Sequence, residues 1–383
     1  MKTNLKKLLY SGVTLMSLGV LAACSTASSS TTTSSSVTTS QSATGSNNST
    51  ASNSSSSSID WSALPTKEVT LSNDGLNITE GGTYILTGST TAGVTVETDA
   101  NVRIVLAGAE ISSSDTAAIN VIQAGNVELE IKDGTSNTVK DTSNHSDTNI
   151  EGAIHVEADL TITGNGNLTV EANFQDGIVS TDDMVVNAGN IKVTAVDDGI
   201  RGKDSMTVNG GVIDVTAGGD GIKSTNDTDT TKGYTTITGG AITVKAGDDA
   251  IKAETALTID GGTITVPESA EAMEGTNITI NGGTLDVYGS DDAINAASTI
   301  SSDIFIKVTG GDLKVAVGSG DTDAFDANGD IYISGGTIDV TAPTSAFDFD
   351  GTVEFTGGTV TVNGEQITQI TATGPGAGGH GGW

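Results

Sequence analysis

The chain has 383 residues, with 48 acidic against 16 basic side chains and a formal net charge of −32. Lys2, Lys6 and Lys7 fall in a leader, and losing them takes the net charge to −35. Nucleic acid and anionic membrane are therefore poor partners for the body, and cations are good ones. Aromatic residues are 3% of the chain, which argues against a surface dominated by sugar-stacking Trp and Tyr.

The first segment, residues 1–23, reads as a lipoprotein signal peptide. The three lysines form a positive start, and the apolar run Leu8–Val20 is short for a membrane span. It ends in Leu21-Ala22-Ala23-Cys24, which resembles the lipobox of bacterial lipoproteins. Cys24 is the one cysteine in the chain, so it has no disulfide partner, and a lipid anchor gives it a role. The expected location is the outer face of the cell membrane, on a Gram-positive type of surface, with the membrane reached only through Cys24. Residues 24–58, almost entirely Ser, Thr, Asn and Ala, cannot bury enough apolar surface to order themselves and read as a stalk. Residues 373–383, ending in the run GPGAGGHGGW, read as a flexible tail.

Residues 59–372 read as one all-β solenoid. A unit of apolar-x-apolar, glycine turn and apolar-x-Val recurs, as in Leu160-Thr-Ile162 followed by Leu168-Thr-Val170. From Leu168 it returns at Ile191, Ile213, Ile242, Ile264, Leu285, Leu313, Ile338 and Val360. The intervals are 23, 22, 29, 22, 21, 28, 25 and 22 residues, the longer ones carrying polar insertions such as Asn226–Tyr234. A third strand follows each unit: Gly177-Ile178, Gly199-Ile200, Gly221-Ile222, Ala250-Ile251, and on to Ala346-Phe347. Three short strands per coil of 21–29 residues predict a right-handed parallel β-helix, with equivalent residues stacked about 4.8 Å apart. A small residue before each Ile suits a tight corner. Val102–Leu106 and Val127–Ile131 predict strands of the first coils, and the apolar Ile59–Leu64 is expected to cap the open end. The chain is expected to be a monomer.

Two columns carry the chemistry. Five residues past the Val of the second strand stands an acid in five successive coils: Asp198, Asp220, Asp249, Glu271 and Asp292. Asp197, Asp248 and Asp291 double three of them, and Asp176 and Asp323 hold similar places with slipped offsets. Two charges one coil apart cost roughly 3–4 kcal/mol at an effective dielectric near 20. Such a column must be solvated, protonated, paired with bases or bridged by metal. Hard oxygen donors suit Ca²⁺. With His145, His155 and His380 as the histidines and no cysteine cluster, zinc is disfavoured. Asp-Gly and Asp-Ala also make good turns, which is the purely structural explanation of the acids.

Eight residues past the same Val runs a second, outward column: Arg201, Lys223, Lys252, Glu274 and Asn295. Its bases either neutralise the acids or grip carboxylates of a sugar chain lying along the axis, and the two roles are compatible. Phe174, Tyr234 and Tyr288 flank the corner or an insertion and are candidates for stacking on sugar, Tyr288 above all.

These motifs resemble a known family. DDGIRGKDSMTVNGGVIDV, DDAIKAETALTIDGGTITV, EAMEGTNITINGGTLDV and TYILTG…VRIVLAG…AAINV are similar to the bacterial surface carbohydrate-binding β-helix family first recognised in cellulolytic clostridia. The resemblance covers about residues 67–363. It implies a calcium-containing β-helix that binds cellulose and acidic, pectin-like sugars, with a fold similar to family 9 pectate lyases. In those enzymes, the resemblance further implies, Asp-bound Ca²⁺ acidifies a uronate and a lysine removes the C5 proton. The chain departs from the family where Asp248-Asp249-Ala250-Ile251-Lys252 replaces Asp-Asp-Gly-Ile-His. It departs again where Glu271-Ala272-Met273-Glu274-Gly275 replaces Glu-Gly-Ile-Glu-Gly. Gly to Ala is expected to be mild, whereas His to Lys changes the outward chemistry. Three functions follow: a calcium-dependent polysaccharide binder, a calcium-stabilised spacer or adhesin, and a lyase using Lys223 or Lys252. No Gly-x-Ser-x-Gly elbow or phosphate loop is present in the sequence.

Overall fold

A computed structural model describes residues 59–320 and 322–373. The signal segment, Cys24, the stalk and the run 374–383 with His380 and Trp383 lie outside the described residues.

Alternation of apolar and polar residues sets the local structure. In Asn190–Ala195 the side chains of Ile191, Val193 and Ala195 are buried, while Asn190, Lys192 and Thr194 are exposed. Such a strand has one wet face and one dry face, and it closes a core only if neighbours stack in the same register. They do. Ile191 lies beside Leu168 on one side and Ile213 on the other, and Val193 lies between Val170 and Val215. One coil comprises Leu160–Thr163, Asn167–Glu171 and Asp176–Ser180, and the next comprises Asp183–Val186, Asn190–Ala195 and Ile200–Gly202. Each strand pairs in parallel with its equivalent one coil away, giving three sheets, here called the first, second and third faces. The fold is the right-handed parallel β-helix that the repeat predicts.

The axis of the helix is filled by stacked apolar columns. Along the third face Ile178, Ile200, Ile222, Ile251, Met273 and Ile294 succeed one another and end in Phe325 and Phe347. These two rings stack with centroids 5.1 Å apart and planes 17° apart. The first coils are as expected, with strands Val102–Ser112 and Val127–Ile131. The start is not a packed cap. Trp61–Ala63 is a single 3₁₀ turn with no buried residue, and Thr66–Leu71 pairs on one side, with Gly82–Thr90 of the next coil. The far end closes differently: Glu365–Ile367 folds back antiparallel on Val353–Val362, and Ile370 is buried beyond it.

Corners decide where large residues are barred. Between the first and second faces, Gly262 and Gly283 adopt φ of 94° and 95°, a conformation that L side chains rarely take. The neighbouring positions Asn187, Asn209 and Thr238 form a polar ladder, with bonds of 2.9 Å from Asn209 to Asn187 and from Thr238 to Asn209. Between the second and third faces, a Cβ on Gly199 would stand 2.3 Å from Val215 Cγ1 and 2.4 Å from the Gly221 carbonyl oxygen. Later coils carry Ala250, Ala272 and Ala293 there, fully buried, so the mildness of alanine holds for those coils and not for this one. Gly199→Ala is therefore expected to cost about 1–3 kcal/mol through overpacking. Thermal unfolding measures it, and an unchanged Tm would contradict the tight corner.

Candidate functional site

The predicted acid column exists, but it is not a row of solvated charges. Asp176, Asp198, Asp220 and Asp249 are all buried. Oδ1 of Asp176, Asp198 and Asp220 accepts the backbone N–H of its equivalent in the next coil: Asp198 N to Asp176 at 3.1 Å, Asp220 N to Asp198 at 2.9 Å, Asp249 N to Asp220 at 2.9 Å. Asp323 N donates likewise to Asp292 at 2.7 Å. The carboxylates are thus fixed by the turn backbone, and Asp176 and Asp323 belong to the column despite their slipped offsets. Asp197, Asp248 and Asp291 stand outside it, exposed. Glu271 and Asp292 are half-buried.

The second oxygen of each acid meets the outward column. Lys223 Nζ lies 2.6 Å from Asp198 Oδ2 and 2.9 Å from Asp220 Oδ2. Arg201 donates from Nε to Asp176 Oδ2 at 2.9 Å and also binds Glu151. Lys252 binds Asp249 at 2.7 Å and also Glu274. Asn295 Nδ2 donates to Glu271 at 3.0 Å. The bases therefore neutralise the ladder.

Burial and crowding tune the acids. Burial pushes Asp176 up to about 6, with Arg201 opposing it. Burial pushes Glu271 up to about 7, opposed by the Asn295 hydrogen bond and helped by Glu274 and Asp292. Asp249 is driven upward by burial and then by its hydrogen bond with Glu274. Burial acts to raise Glu274 too, but bonds from Asp249 and Lys252 outweigh it and hold it low. Burial disfavours the charge on Lys223 and Lys252, yet their carboxylate partners win and raise both ammonium groups above their ordinary range. Farther along, burial and then Asp292, Asp323, Asp348 and Asp350 push Asp326 up to about 7.

Two carboxylate groups have oxygens within 4.8 Å of one another: Asp220 with Asp248 and Asp249, and Asp249 with Glu271 and Glu274. Of the other candidate metal ligands, Asp197, Asp198, Asp291, Asp292 and Asp323 belong to neither group among the described residues. Beside the second group lies a recess of about 350 Å³ floored by Lys252, Glu254 and Glu274 and walled by Ser298, Thr299 and Ile300. A smaller recess of about 130 Å³ lies farther back, between Asp176, Asp197, Arg201 and Lys223.

Two expected aromatics sit elsewhere. Phe174 is stacked on His145, centroids 4.3 Å apart, so its face is covered. That imidazole bridges Asp141 Oδ2 at 3.0 Å and the Ile150 carbonyl oxygen at 2.5 Å, tying down the 141–151 insertion. Tyr288 projects half-buried from the second face, opposite Ala316, and is not among the residues that line either recess. Sequence spacing missed Glu151, which completes the Arg201 pairing, because it precedes its coil in an irregular insertion.

The profile of carbohydrate-binding-domain-containing proteins matches residues 72–324. The chain belongs to this carbohydrate-binding family. A curated carbohydrate-binding-domain-containing protein of Acetivibrio thermocellus is 33% identical over 135 residues, which is 33% of this chain and 47% of the relative. The chain thus spans about half the length of that relative. A solved polysaccharide lyase-like protein from C. thermocellum, studied as a gadolinium derivative, is 32% identical with a TM-score of 0.53. That match covers 57% of this chain and 95% of the other.

Lys223→Met tests the neutralised ladder. Removing the ammonium leaves Asp198 and Asp220 facing each other in a buried place, at an expected cost of about 3 kcal/mol at neutral pH. Denaturant unfolding at neutral pH measures the loss, and a variant as stable as the parent would contradict the pairing.

Proposed function

We propose that the chain is a calcium-dependent binder of acidic, pectin-like polysaccharide, held at the cell surface by a lipid on Cys24. The observation that carries the reading is the grouping of Asp220, Asp248 and Asp249, with Asp248 exposed and the other two fixed by the ladder. Hard, preorganised carboxylate oxygens suit Ca²⁺. The second group fits less well, because Lys252 already places a cation against Asp249 and Glu274.

Asp248 would supply the accessible ligand, with Asp249 and Asp220 behind it. When bound, the ion supplies positive charge and open coordination positions that a uronate carboxylate can enter. The chain's own residues do the rest: backbone N–H groups hold the carboxylates in place, and Lys223 and Lys252 keep the strip from repelling an anionic polymer. Membership of a carbohydrate-binding family and likeness to a polysaccharide lyase-like protein support a glycan as partner.

The lyase alternative asks Lys223 or Lys252 to take a proton. Both are ammonium donors locked between carboxylates, the opposite arrangement to a free base. Binding is the better reading. The full chain is expected to be retained on polygalacturonate with Ca²⁺, to elute with chelator and to release no unsaturated product. Asp248→Asn should weaken calcium affinity about tenfold, about 1.4 kcal/mol, in calorimetric titration, with little change in Tm. Retention indifferent to chelator, or an unaltered Asp248→Asn titration, would overturn the metal site. A chelator-sensitive Tm with no glycan binding would instead favour the spacer.

A further inference from the structure

Toward its far end the outer surface of the first face turns from hydroxyls to rings and charges. Thr207, Thr236, Thr258 and Thr279 lie in register along its outward column. The column then runs on through Lys307, Tyr332 and Glu354, with Phe305 two residues before Lys307 on the same strand. Phe305 and Tyr332 sit on neighbouring coils, their ring centroids 6.2 Å apart and their planes at 69°. Two planes that far from parallel make the two walls of a corner. The corner opens on a recess of about 400 Å³ that Asp303, Lys307 and Glu354 also line.

The rings belong to the surface and not to the core. Their chain neighbours Ile306, Ile331 and Ile333 are the fully buried ones, and Phe305 and Tyr332 are half-buried. A single exposed ring calls for no explanation. This pair, however, is braced. The Tyr332 hydroxyl donates to Asp330 Oδ2 at 2.6 Å, and Asp330 Oδ1 accepts from Thr352 N at 2.6 Å and Thr352 Oγ1 at 2.9 Å. The bond does two things for the ring. It fixes the ring's tilt, and a phenol that shares its proton with a carboxylate pushes electron density into its π face.

Charge decides what such a corner takes. Asp303 and Glu354 are exposed in the recess wall, and Asp330 stands behind Tyr332, against Lys307 as the one base in the lining. An anionic guest is repelled by these acids and by the net charge of −32. A neutral guest gains nothing from them. A cation gains from the carboxylates and from both ring faces. Among the described residues the acids here do not converge into a group able to hold a metal ion, so the recess lacks the oxygen cage that a bare ion needs. A methylated ammonium needs no such cage: its charge is spread under an apolar skin that suits ring faces. Lys307 opposes it, but an exposed lysine can lay its stem on the ring edge and turn its ammonium to water.

We infer that the first face binds a methylated ammonium group, with Phe305 and Tyr332 as the two walls of its site and Glu354 and Asp303 as counter-charges. The site lies on a different face from the acid ladder and does not depend on the function proposed for that ladder.

The test titrates the full-length chain with choline and with its uncharged carbon isostere, in which a tert-butyl group replaces the trimethylammonium. Choline should bind about tenfold more tightly than the isostere, and Phe305→Ala and Tyr332→Ala should each weaken choline about fivefold. Glu354→Gln should weaken it about threefold, and Tyr332→Phe, which keeps the ring and loses the bond to Asp330, by no more than that. Lys307→Ala should tighten choline about threefold, a gain that a misfolded variant cannot produce. Absence of choline binding, or equal affinity for choline and the isostere, would overturn the inference. So would choline binding unchanged in both ring variants, which would put the cation on other carboxylates, or a Lys307→Ala protein that binds choline more weakly than its parent. Calcium titration and retention on polygalacturonate are read separately, so failure here leaves the proposed function standing.

Discussion

Everything in this molecule depends on equivalent residues being stacked one coil apart. The step of about 4.8 Å is set by the parallel hydrogen-bond ladder, and it places like on like. Stacking apolar residues this way builds a continuous core from Leu, Ile and Val without a helix among the described residues beyond one 3₁₀ turn. Stacking carboxylates in the same way would be ruinous if each kept a bare charge. The turn resolves it locally: Oδ1 of one Asp receives the N–H of the next, and Oδ2 receives a lysine or arginine. The ladder is a structural solution first, and its ordered oxygens are what the proposed calcium site draws on.

That solution is graded along the axis. The outward column passes from Arg201, Lys223 and Lys252 to Glu274, Asn295, Asp326 and Asp348. Where bases stand, the column is neutralised by ion pairs. Past Glu271 the acids crowd one another, and burial together with acidic neighbours drives Asp326 up to about 7. The same sheet therefore offers different surfaces at its two ends, without any change of fold.

Much of this was legible in the sequence. The recurrence of Ile191, Ile213 and Ile242 located the second face, and the fixed offset to Asp198, Asp220 and Asp249 located the acid corner. Periodicity could not reveal that these acids are buried, because an exposed turn and a hydrogen-bonded ladder use the same residues. Nor could it show that Lys223 bridges two coils, which depends on how far its side chain leans along the axis. Phe174 looked free and is covered by His145 from an insertion with no counterpart in other coils.

In the proposed function one cation sits on the edge of the ladder while the lysines stay paired within it. A diffraction structure of the calcium-loaded chain, with the ion located by anomalous scattering, tests this. The expected result is density bound by Asp248 with Asp249 and Asp220, and Lys223 still between Asp198 and Asp220. An ion found elsewhere on the coil, or a Lys223 displaced from its carboxylates to admit one, would contradict it.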